Sequence, residues 1–357
     1  MSNLKTFARG CIAPVALAIT AALPAQAQDT VENYIREYPN QQQVRMMTDW
    51  LKDNTPGNFT FTGLVDPDDD TVVTPQATVN YGYNWFSLTD GPAVLTVPEY
   101  DRFFSVSVFD MKHNIPAVVV SPDKPILLTR PGYDQPEGDF TVVNLETDQG
   151  LILTRMVVVD NIDDVMALSE EIIMEGGDGD MTRPVQRFSD SIRESGEHVI
   201  SAMVEVVNVD VVFGSHTGAV GELSRAAGVM QGQLGTPTET VRYALSLTDD
   251  DGQPLKGDAT YEVTVPAGIV EEDGYFSVTA YGTDNKLLIP NDQGIYDSTT
   301  YSAEPNDNGT FTITLSPDAS GQNAIPTGKD FYLLTRAYVP VAGADLQPKI
   351  EKLSTTE

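Results

Sequence analysis

Two stretches of the chain repeat apolar residues at a period of two, and this repeat constrains the fold most strongly. The clearest runs cover residues 78–87, 103–109, 151–159, 260–265, 275–281 and 331–339. Successive side chains of a strand point to opposite faces, so short alternating runs predict antiparallel strands. Turn dipeptides such as Pro131-Gly132 and Asn308-Gly309 separate the runs. The pattern therefore predicts a mainly β protein.

Helical spacing interrupts the strand pattern in three places. Apolar residues recur every three or four positions in 29–53, 160–174 and 219–233, which predicts helices there. The β-branched segment 199–213 fits either a strand or a buried helix. These changes of period divide the chain into the following predicted parts: signal peptide 1–27, N-terminal helical segment 28–56, first β domain 57–160, helical or mixed connection 161–236, second β domain 237–350 and tail 351–357.

The N-terminus has the order of features of a secretory signal peptide. Two basic residues precede an apolar stretch at 11–23, and Ala25-Gln26-Ala27 fits the small-residue cleavage pattern. Alternatives are a buried helix in a cytosolic protein and a lipoprotein anchor at Cys11, although no apolar run precedes that cysteine. The apolar stretch is too short to span a membrane. We therefore expect an exported protein, periplasmic or secreted, that begins at Gln28 and has no transmembrane segment.

The charge and the cysteine content of the chain argue against several classes of partner and site. The full chain carries a formal charge of −31, and removal of 1–27 with its two basic residues lowers the charge to about −33. Such a chain cannot neutralise phosphates, which argues against nucleic acid and anionic lipid surfaces as partners. Cys11 is the only cysteine. The mature chain therefore has no disulfide, no thiol nucleophile and no thiolate metal site.

The C-terminal third carries motifs of a known family. They are 251–255 (DGQPL) with Tyr261, the aromatic strand 275–281 (YFSVTAY), 288–291 (LIPN) with Tyr296, and 334–340 (LTRAYVP). Together these motifs resemble the family called domain of unknown function 1214 over most of residues 240–350.

The earlier β region resembles the usual companion of that family, domain of unknown function 1254. The matching segments are 94–98 (VLTVP), 102–106 (RFFSV), 153–155 (LTR), and Asp110 with Asn114 at the positions of the family's D-x-W-x-N. The family signature P-N-x-D-T-x-Y corresponds to 75–81 (PQATVNY), in which the acidic residue is missing. The two resemblances imply an N-terminal immunoglobulin-like β domain, a helical middle segment and a C-terminal jelly-roll-like domain. They imply no established activity.

One polar cluster follows an apolar strand, where the chain is expected to emerge at a sheet end. Asp110, His113 and Asn114 are close enough in sequence for His113 to act as an acid or base oriented by Asp110. The alternative is that Asp110 and Asn114 stabilise the turn by bonding to backbone amides. Asp110 and His113 are the catalytic candidates.

Several other polar and aromatic residues are candidates for ligand binding. Arg155 and Arg336 lie inside apolar strands, so each is expected to face solvent or to be buried with a carboxylate, and a minority of such arginines bind a ligand. Aromatic strand residues are either core or a surface on which sugars stack. The ligand-binding candidates are Asn114, Arg155, Tyr281, Asn291, Tyr296 and Arg336.

A weak calcium pattern precedes the first long strand. Asp66, Asp68 and Asp70 alternate, but the loop lacks the glycine and the glutamate of a calcium-binding loop, and a solvated acidic loop is the alternative. We expect no other metal and no organic cofactor. The function expected from the sequence is the binding of a glycan or small molecule by an exported β protein. The alternative is a hydrolase or lyase that acts on a polymer through carboxylates and His113. The oligomeric state is left open.

Overall fold

The protein is mainly β. A computed structural model describes residues 29–68, 74–208 and 211–353, and within these residues it contains 17 strands in four sheets and four helices. The predicted signal peptide lies outside the described residues, and so does Asp70. None of the described helices combines the length and apolar character needed to cross a membrane.

The first β unit consists of two sheets. Its strands are β1 (Thr60–Phe61), β2 (Val79–Ser87), β3 (Ala93–Thr96), β4 (Phe104–Asp110), β5 (Ala117–Val120), β6 (Ile126–Thr129), β7 (Thr141–Asn144), β8 (Gln149–Val157) and β9 (Ile173–Glu175). One sheet has the order β1-β2-β8-β4-β5 and the other β7-β6-β3-β9. Apolar residues of both sheets, among them Phe86, Leu95 and Val106, form one buried core. The alternating pattern is thus explained by one face of each sheet packing on the other.

The second β unit repeats this two-sheet arrangement. Its strands are β10 (Val241–Ser246), β11 (Tyr261–Val265), β12 (Val270–Gly282), β13 (Asp297–Thr299), β14 (Phe311–Ser316), β15 (Ala324–Pro326), β16 (Phe331–Pro340) and β17 (Lys349–Lys352). The sheet orders are β10-β16-β12-β13 and β15-β14-β11-β17. The core between them contains Phe276, Val278, Ile313 and Leu333. Immunoglobulin-like and jelly-roll-like stay predictions for the two units.

Four helices cover the first unit and connect it to the second. They are α1 (Val31–Trp50), α2 (Ile162–Ser169), α3 (Asp190–Val204) and α4 (Glu222–Gln231). Thr30 caps α1 by accepting a 3.2 Å hydrogen bond from the amide of Asn33. Met47 of α1 packs on the outer face of the five-stranded sheet, against Trp85 and Leu151. The helices α1, α3 and α4 share a smaller core that includes Tyr34, Ile200 and Ala226.

The strand pattern of the sequence is confirmed, but one local prediction is wrong. Of the two alternatives for 199–213, the described residues follow the helix, because α3 continues to Val204 and buries Ile200 against α4. The segment 160–174 is not one helix. The helix α2 ends at Ser169, and Ile173–Glu175 pairs with β3 as β9. The first β unit therefore includes residues beyond 160, whereas the predicted domain limits as a whole stay a prediction.

Candidate functional site

The two β units meet through the outer faces of two sheets. Val79 of β2 and Phe103, which directly precedes β4, pack against Val241, Tyr275 and Tyr338 of the sheet that contains β10. The ring of Phe103 lies 4.8 Å from that of Tyr275 and 5.2 Å from that of Tyr338, measured between centroids. We call this region, together with the polar residues beside it, the inter-sheet junction. Both arginines singled out in the sequence lie in it.

Arg155 belongs to β8 and lies opposite Tyr81 of β2 and Ser105 of β4. Its side chain is only 9% exposed. One terminal nitrogen donates to the hydroxyl of Ser107 at 2.9 Å, and the other donates to the backbone carbonyl of Leu234 at 3.2 Å. Within the described part of the chain, no carboxylate forms an ion pair with this guanidinium.

Arg336 belongs to β16 and lies opposite Tyr243 of β10 and Ser277 of β12. It is 4% exposed. Its guanidinium donates to the carbonyl of Thr74 at 2.7 Å and to the hydroxyl of Thr279 at 3.3 Å, and it lies 5.5 Å from the ring centroid of Tyr281. In the described residues it also lacks an ion pair with a carboxylate.

The two guanidiniums face the same phenols. Burial raises the pKa of Tyr81 to about 12, and the charges of Arg155 and Arg336 both oppose that rise. The same opposing charges act on Tyr338, whose pKa burial also raises. Burial alone would lower the pKa of Arg336, but neighbouring phenols outweigh that effect and raise it. Arg336 therefore stays charged, with several phenols and the buried carboxyl group of Asp297 around it.

In the described residues Arg155 is buried without an ion pair to a carboxylate, which differs from the prediction for a strand arginine, whereas Arg336 is buried near Asp297 and its charge acts to lower the pKa of that carboxylate. Burying a cation carries a desolvation cost of several kcal/mol, which hydrogen bonds and aromatic faces offset; at Arg336 the neighbouring phenols outweigh that cost. Each guanidinium donates two hydrogen bonds to neighbouring oxygens, and Arg336 also bonds to the phenol of Tyr281.

Asp297 is a buried acidic residue that interacts with the charge of Arg336. Its Oδ2 accepts hydrogen bonds from Gln76 at 3.2 Å and from Thr78 at 2.9 Å. Gln76 in turn accepts a bond from the hydroxyl of Ser277 at 3.1 Å. Burial raises the pKa of Asp297 to about 6, while the bond from Thr78 and the charge of Arg336 act to lower it. Asp297 connects the loop before β2 to the second β unit.

Tyr281 has its hydroxyl engaged within the protein. It donates to the carbonyl of Pro75 at 2.6 Å, and its ring stacks on Tyr332 at 5.6 Å. Tyr296 is partly buried against the same small cluster. Among the residues that the structure describes, Asn291 bonds within its own loop, for example to the carbonyl of Ile295 at 2.8 Å. Of these ligand-binding candidates, Tyr281 alone lies in the inter-sheet junction, beneath Arg336.

The predicted catalytic cluster forms a buried turn after β4. Oδ1 of Asp110 accepts bonds from the amides of Lys112 at 2.8 Å and Asn114 at 2.9 Å, and Oδ2 accepts the side-chain amide of Asn114 at 2.8 Å. Burial raises the pKa of Asp110, and these bonds act in the opposite direction. The carboxylate thus stabilises the backbone of its own turn, as the alternative interpretation expects.

His113 is fully buried in the same turn but bonds elsewhere. Its ring lies between those of Phe109 and Phe213, at centroid distances of 5.5 and 5.2 Å. Its Nε2 accepts the amide of Leu234 at 3.1 Å, and burial lowers its pKa to about 4. His113 is therefore neutral near pH 7. No hydrogen bond joins it to the carboxylate of Asp110 in the described structure, so the geometry supports a structural role for both.

Leu234 links the buried turn to the inter-sheet junction. It has a positive φ of 65°. Its amide bonds to His113 while its carbonyl accepts Arg155. The loop between α4 and β10 thus holds the Arg155 guanidinium in place and is itself held by the histidine. His113 and Arg155, which sequence reasoning placed at separate sites, are connected through this one residue.

The acidic loop before β2 is only partly described. Asp66 accepts the amide of Asp68 at 2.9 Å, which is a local turn. Throughout 29–68, 74–208 and 211–353, no group of three or more His, Cys, Asp or Glu side chains is arranged to hold a metal. A surface cleft of about 760 Å³ lies elsewhere, beside Arg102 and Asp160, and contains none of the predicted site residues.

Sequence reasoning missed most of the phenols around the two arginines. Tyr81, Tyr243 and Tyr338 occupy alternating positions of strands that were predicted, but the partner face of each strand was unknown. The repeated tyrosines at 81 and 83 were the available signal, since exposed aromatic residues on alternating positions are unusual unless a second layer covers them.

Comparisons with known proteins agree with this architecture. Residues 56–175 match the family model described as Protein of unknown function (DUF1254), and residues 240–342 match Protein of unknown function (DUF1214). The chain therefore contains both domains of the predicted pair. No curated protein matches the chain in sequence.

Two solved structures resemble the whole fold. The VPA0106 protein from Vibrio parahaemolyticus has a TM-score of 0.73 at 18% identity, with 90% of this chain and 98% of that chain covered. An uncharacterized protein from Burkholderia cenocepacia has a TM-score of 0.50 at 14% identity, with 92% of this chain and 91% of that chain covered. At these identities the likeness shows the fold alone. It supports the mainly β architecture.

Proposed function

We propose that this protein is an exported binding protein for a small molecule or glycan that carries an acidic group. The acidic group lies between Arg155 and Arg336 in the inter-sheet junction. The observation that supports this proposal is the pair of buried guanidiniums whose charges act on the same phenols and which form no ion pair with a carboxylate in the described structure.

An anion from outside the chain would complete this arrangement. Charge-assisted hydrogen bonds are stronger than neutral ones, and a guanidinium presents two parallel N–H groups that match a carboxylate, sulfate or phosphate. Both arginines have their terminal nitrogens already oriented by fixed partners, Ser107 and Thr279 among them. Little side-chain entropy would therefore be lost when an anion binds.

The surrounding tyrosines favour a ligand with a body beyond its acidic group. The side chain of Tyr243 is 43% exposed although it lies directly opposite Arg336 in the sheet, so the junction is open to solvent on this side. Phenol rings offer flat apolar surface together with a hydroxyl for hydrogen bonding. A uronic acid, in which a carboxylate is attached to a sugar ring, combines both requirements and is a suitable first probe.

Isothermal titration of the mature protein with glucuronate and oligogalacturonate, against glucose as the neutral control, tests this proposal. We expect the acidic sugars to bind at least about tenfold more tightly than glucose, since each charge-assisted bond contributes about 1.5–3 kcal/mol. Arg155→Gln and Arg336→Gln should each abolish that preference.

Arg242→Gln is the matched control. Arg242 is on β10 next to Tyr243, but it points to the other face and bonds to the carbonyl of Ala344 at 2.7 Å. Binding should survive this change. Equal affinity for acidic and neutral sugars, or equal effects of all three substitutions, would contradict the proposal.

A further inference from the structure

The open side of the inter-sheet junction continues as an apolar strip along one strand. On β10, Val241, Tyr243 and Leu245 alternate on the outer face, and Leu247 follows just past the strand end. Their exposure increases steadily, from 2% at Val241 to 43%, 53% and 57% at the next three positions. Large apolar side chains exposed in a contiguous row commonly mark a binding surface.

The strip begins at the buried cations. Arg336 is the cross-strand partner of Tyr243, and Leu334 is the partner of Leu245. A strand rises about 3.3 Å per residue, so the strip extends roughly 13 Å from Tyr243 to Leu247. The exposure of Tyr243, Leu245 and Leu247 shows that the described residues leave this part of the outer face largely uncovered. A charged end and an apolar extension therefore lie on one continuous surface.

From this arrangement we propose that the ligand is a linear amphiphile, a carboxylate with a medium-length alkyl chain. The carboxylate binds at Arg155 and Arg336, and the chain lies along Tyr243, Leu245 and Leu247. This inference rests on the proposed function and narrows its ligand class from acidic molecules in general to acids with an apolar body.

Charge complementarity favours this occupant over a second copy of the chain. In a two-fold contact the same patch faces itself, so the arginines of one copy would face those of the other and would gain no anionic partner. An amphiphilic acid supplies the missing negative charge and covers the leucines at the same time. A neutral lipid would cover the leucines but would provide no anionic partner for either guanidinium.

Calorimetric titration with acetate, hexanoate, octanoate and decanoate, below their micelle concentrations, tests the inference. Burial of each methylene should strengthen binding roughly threefold to fourfold when it is complete, so decanoate should bind at least about tenfold more tightly than hexanoate. Decanol, the neutral control, should bind much more weakly than decanoate.

Two sets of variants separate the alkyl-chain contacts from the acid contacts. The double variant Leu245→Asn with Leu247→Asn should remove the dependence on chain length but retain hexanoate binding. The control Val206→Asn, at an apolar position that is 77% exposed and outside the strip, should change nothing. Arg336→Gln should weaken the binding of acids of every chain length.

The outcomes distinguish the two proposals. If short acids or uronates bind at the arginines but affinity does not rise with chain length, the amphiphile inference is wrong while the acid-binding function stands. If no acid of any length binds, and glucuronate also fails, the proposed function is wrong as well. If decanol equals decanoate, the strip binds apolar chains without the arginines and the inference fails.

Discussion

The opposing titrations of His113 and Asp297 predict an unusual pH dependence of stability. His113 has a pKa of about 4 in the folded protein against 6.5 in its ordinary state, because burial between two phenylalanine rings disfavours its charged form. The unfolded chain therefore binds the proton more readily. Its contribution to stability is present above pH 6.5 and is lost as the pH falls toward 4.

Asp297 acts in the opposite direction over nearly the same range. Burial raises its pKa to about 6 from 3.8, so the folded protein takes up a proton before the unfolded chain does. Stability from this group increases as the pH falls from about 6 toward 4. Each pKa unit corresponds to about 1.36 kcal/mol, so each residue contributes roughly 3 kcal/mol, with opposite sign. The two contributions nearly cancel in the wild type.

Single substitutions should reveal the contribution of each residue to the pH dependence of stability. We expect His113→Gln, which keeps an acceptor for the amide of Leu234, to become more stable relative to wild type by about 3 kcal/mol between pH 6.5 and 4. Asp297→Asn should become less stable relative to wild type by a similar free energy over that pH range. Urea unfolding followed by the fluorescence of Trp50 and Trp85, at half-unit pH steps, measures both.

The refuting result is specific. If both variants follow the wild-type pH profile in parallel, neither group differs in protonation between the folded and the unfolded protein in this range. The interpretation of His113 as a buried, neutral side chain that positions Leu234 would then be wrong. A matched control is His198→Gln, on the exposed side of α3, which should leave the shape of the profile unchanged.

Three further predictions concern stability. The melting temperature should rise as sodium chloride is increased from 0.01 to 0.1 M, because salt screens the repulsion among the excess acidic residues; a flat calorimetric profile would contradict this. Gly196→Val should lower the free energy of unfolding by about 1–3 kcal/mol in urea unfolding, because even a Cβ at this position would lie 2.1 Å from the ring of Tyr34. The control Gly232→Ala should leave the free energy of unfolding nearly unchanged, because the space around Gly232 is open. Tyr281→Phe should cost about 1 kcal/mol by removing the 2.6 Å bond to the carbonyl of Pro75, and an unchanged unfolding midpoint would show that this bond contributes nothing.

The long strands were predictable because their periodicity is local. Residues 103–109 alternate clearly enough to indicate β4, and residues 331–339 indicate β16. The short strands β9, β13, β15 and β17 were missed. Each has three or four residues, which is too few for a periodic pattern to develop, and its position depends on pairing with another strand.

The candidate site was less predictable for a related reason. The side chains of Gln76 and Asp297 are bonded although 221 positions separate them, and nothing local in either segment indicates this contact. The sequence did identify Arg155 and Arg336 as unusual, since both interrupt apolar strands. It did not show that the two strands belong to sheets whose outer faces meet.

The altered signature at 75–81 gains a physical interpretation from the structure. Gln76 and Thr78 lie in the segment that lacks the family's acidic residue, and both donate to Asp297 of the second β unit. The carboxylate beside the inter-sheet junction therefore comes from a different strand, β13. This arrangement depends on the tertiary fold and could not be inferred from either segment alone.

The most direct test of the central claim is to locate an anion in crystals of the mature protein. Crystals soaked in sodium bromide and measured at the bromine absorption edge would show by anomalous scattering where an anion binds. We predict a bromide in contact with the guanidiniums of both Arg155 and Arg336. The double variant Arg155→Gln, Arg336→Gln should lose this bromide. Bromide found only at the surface, or a protein carboxylate paired with both guanidiniums, would contradict it.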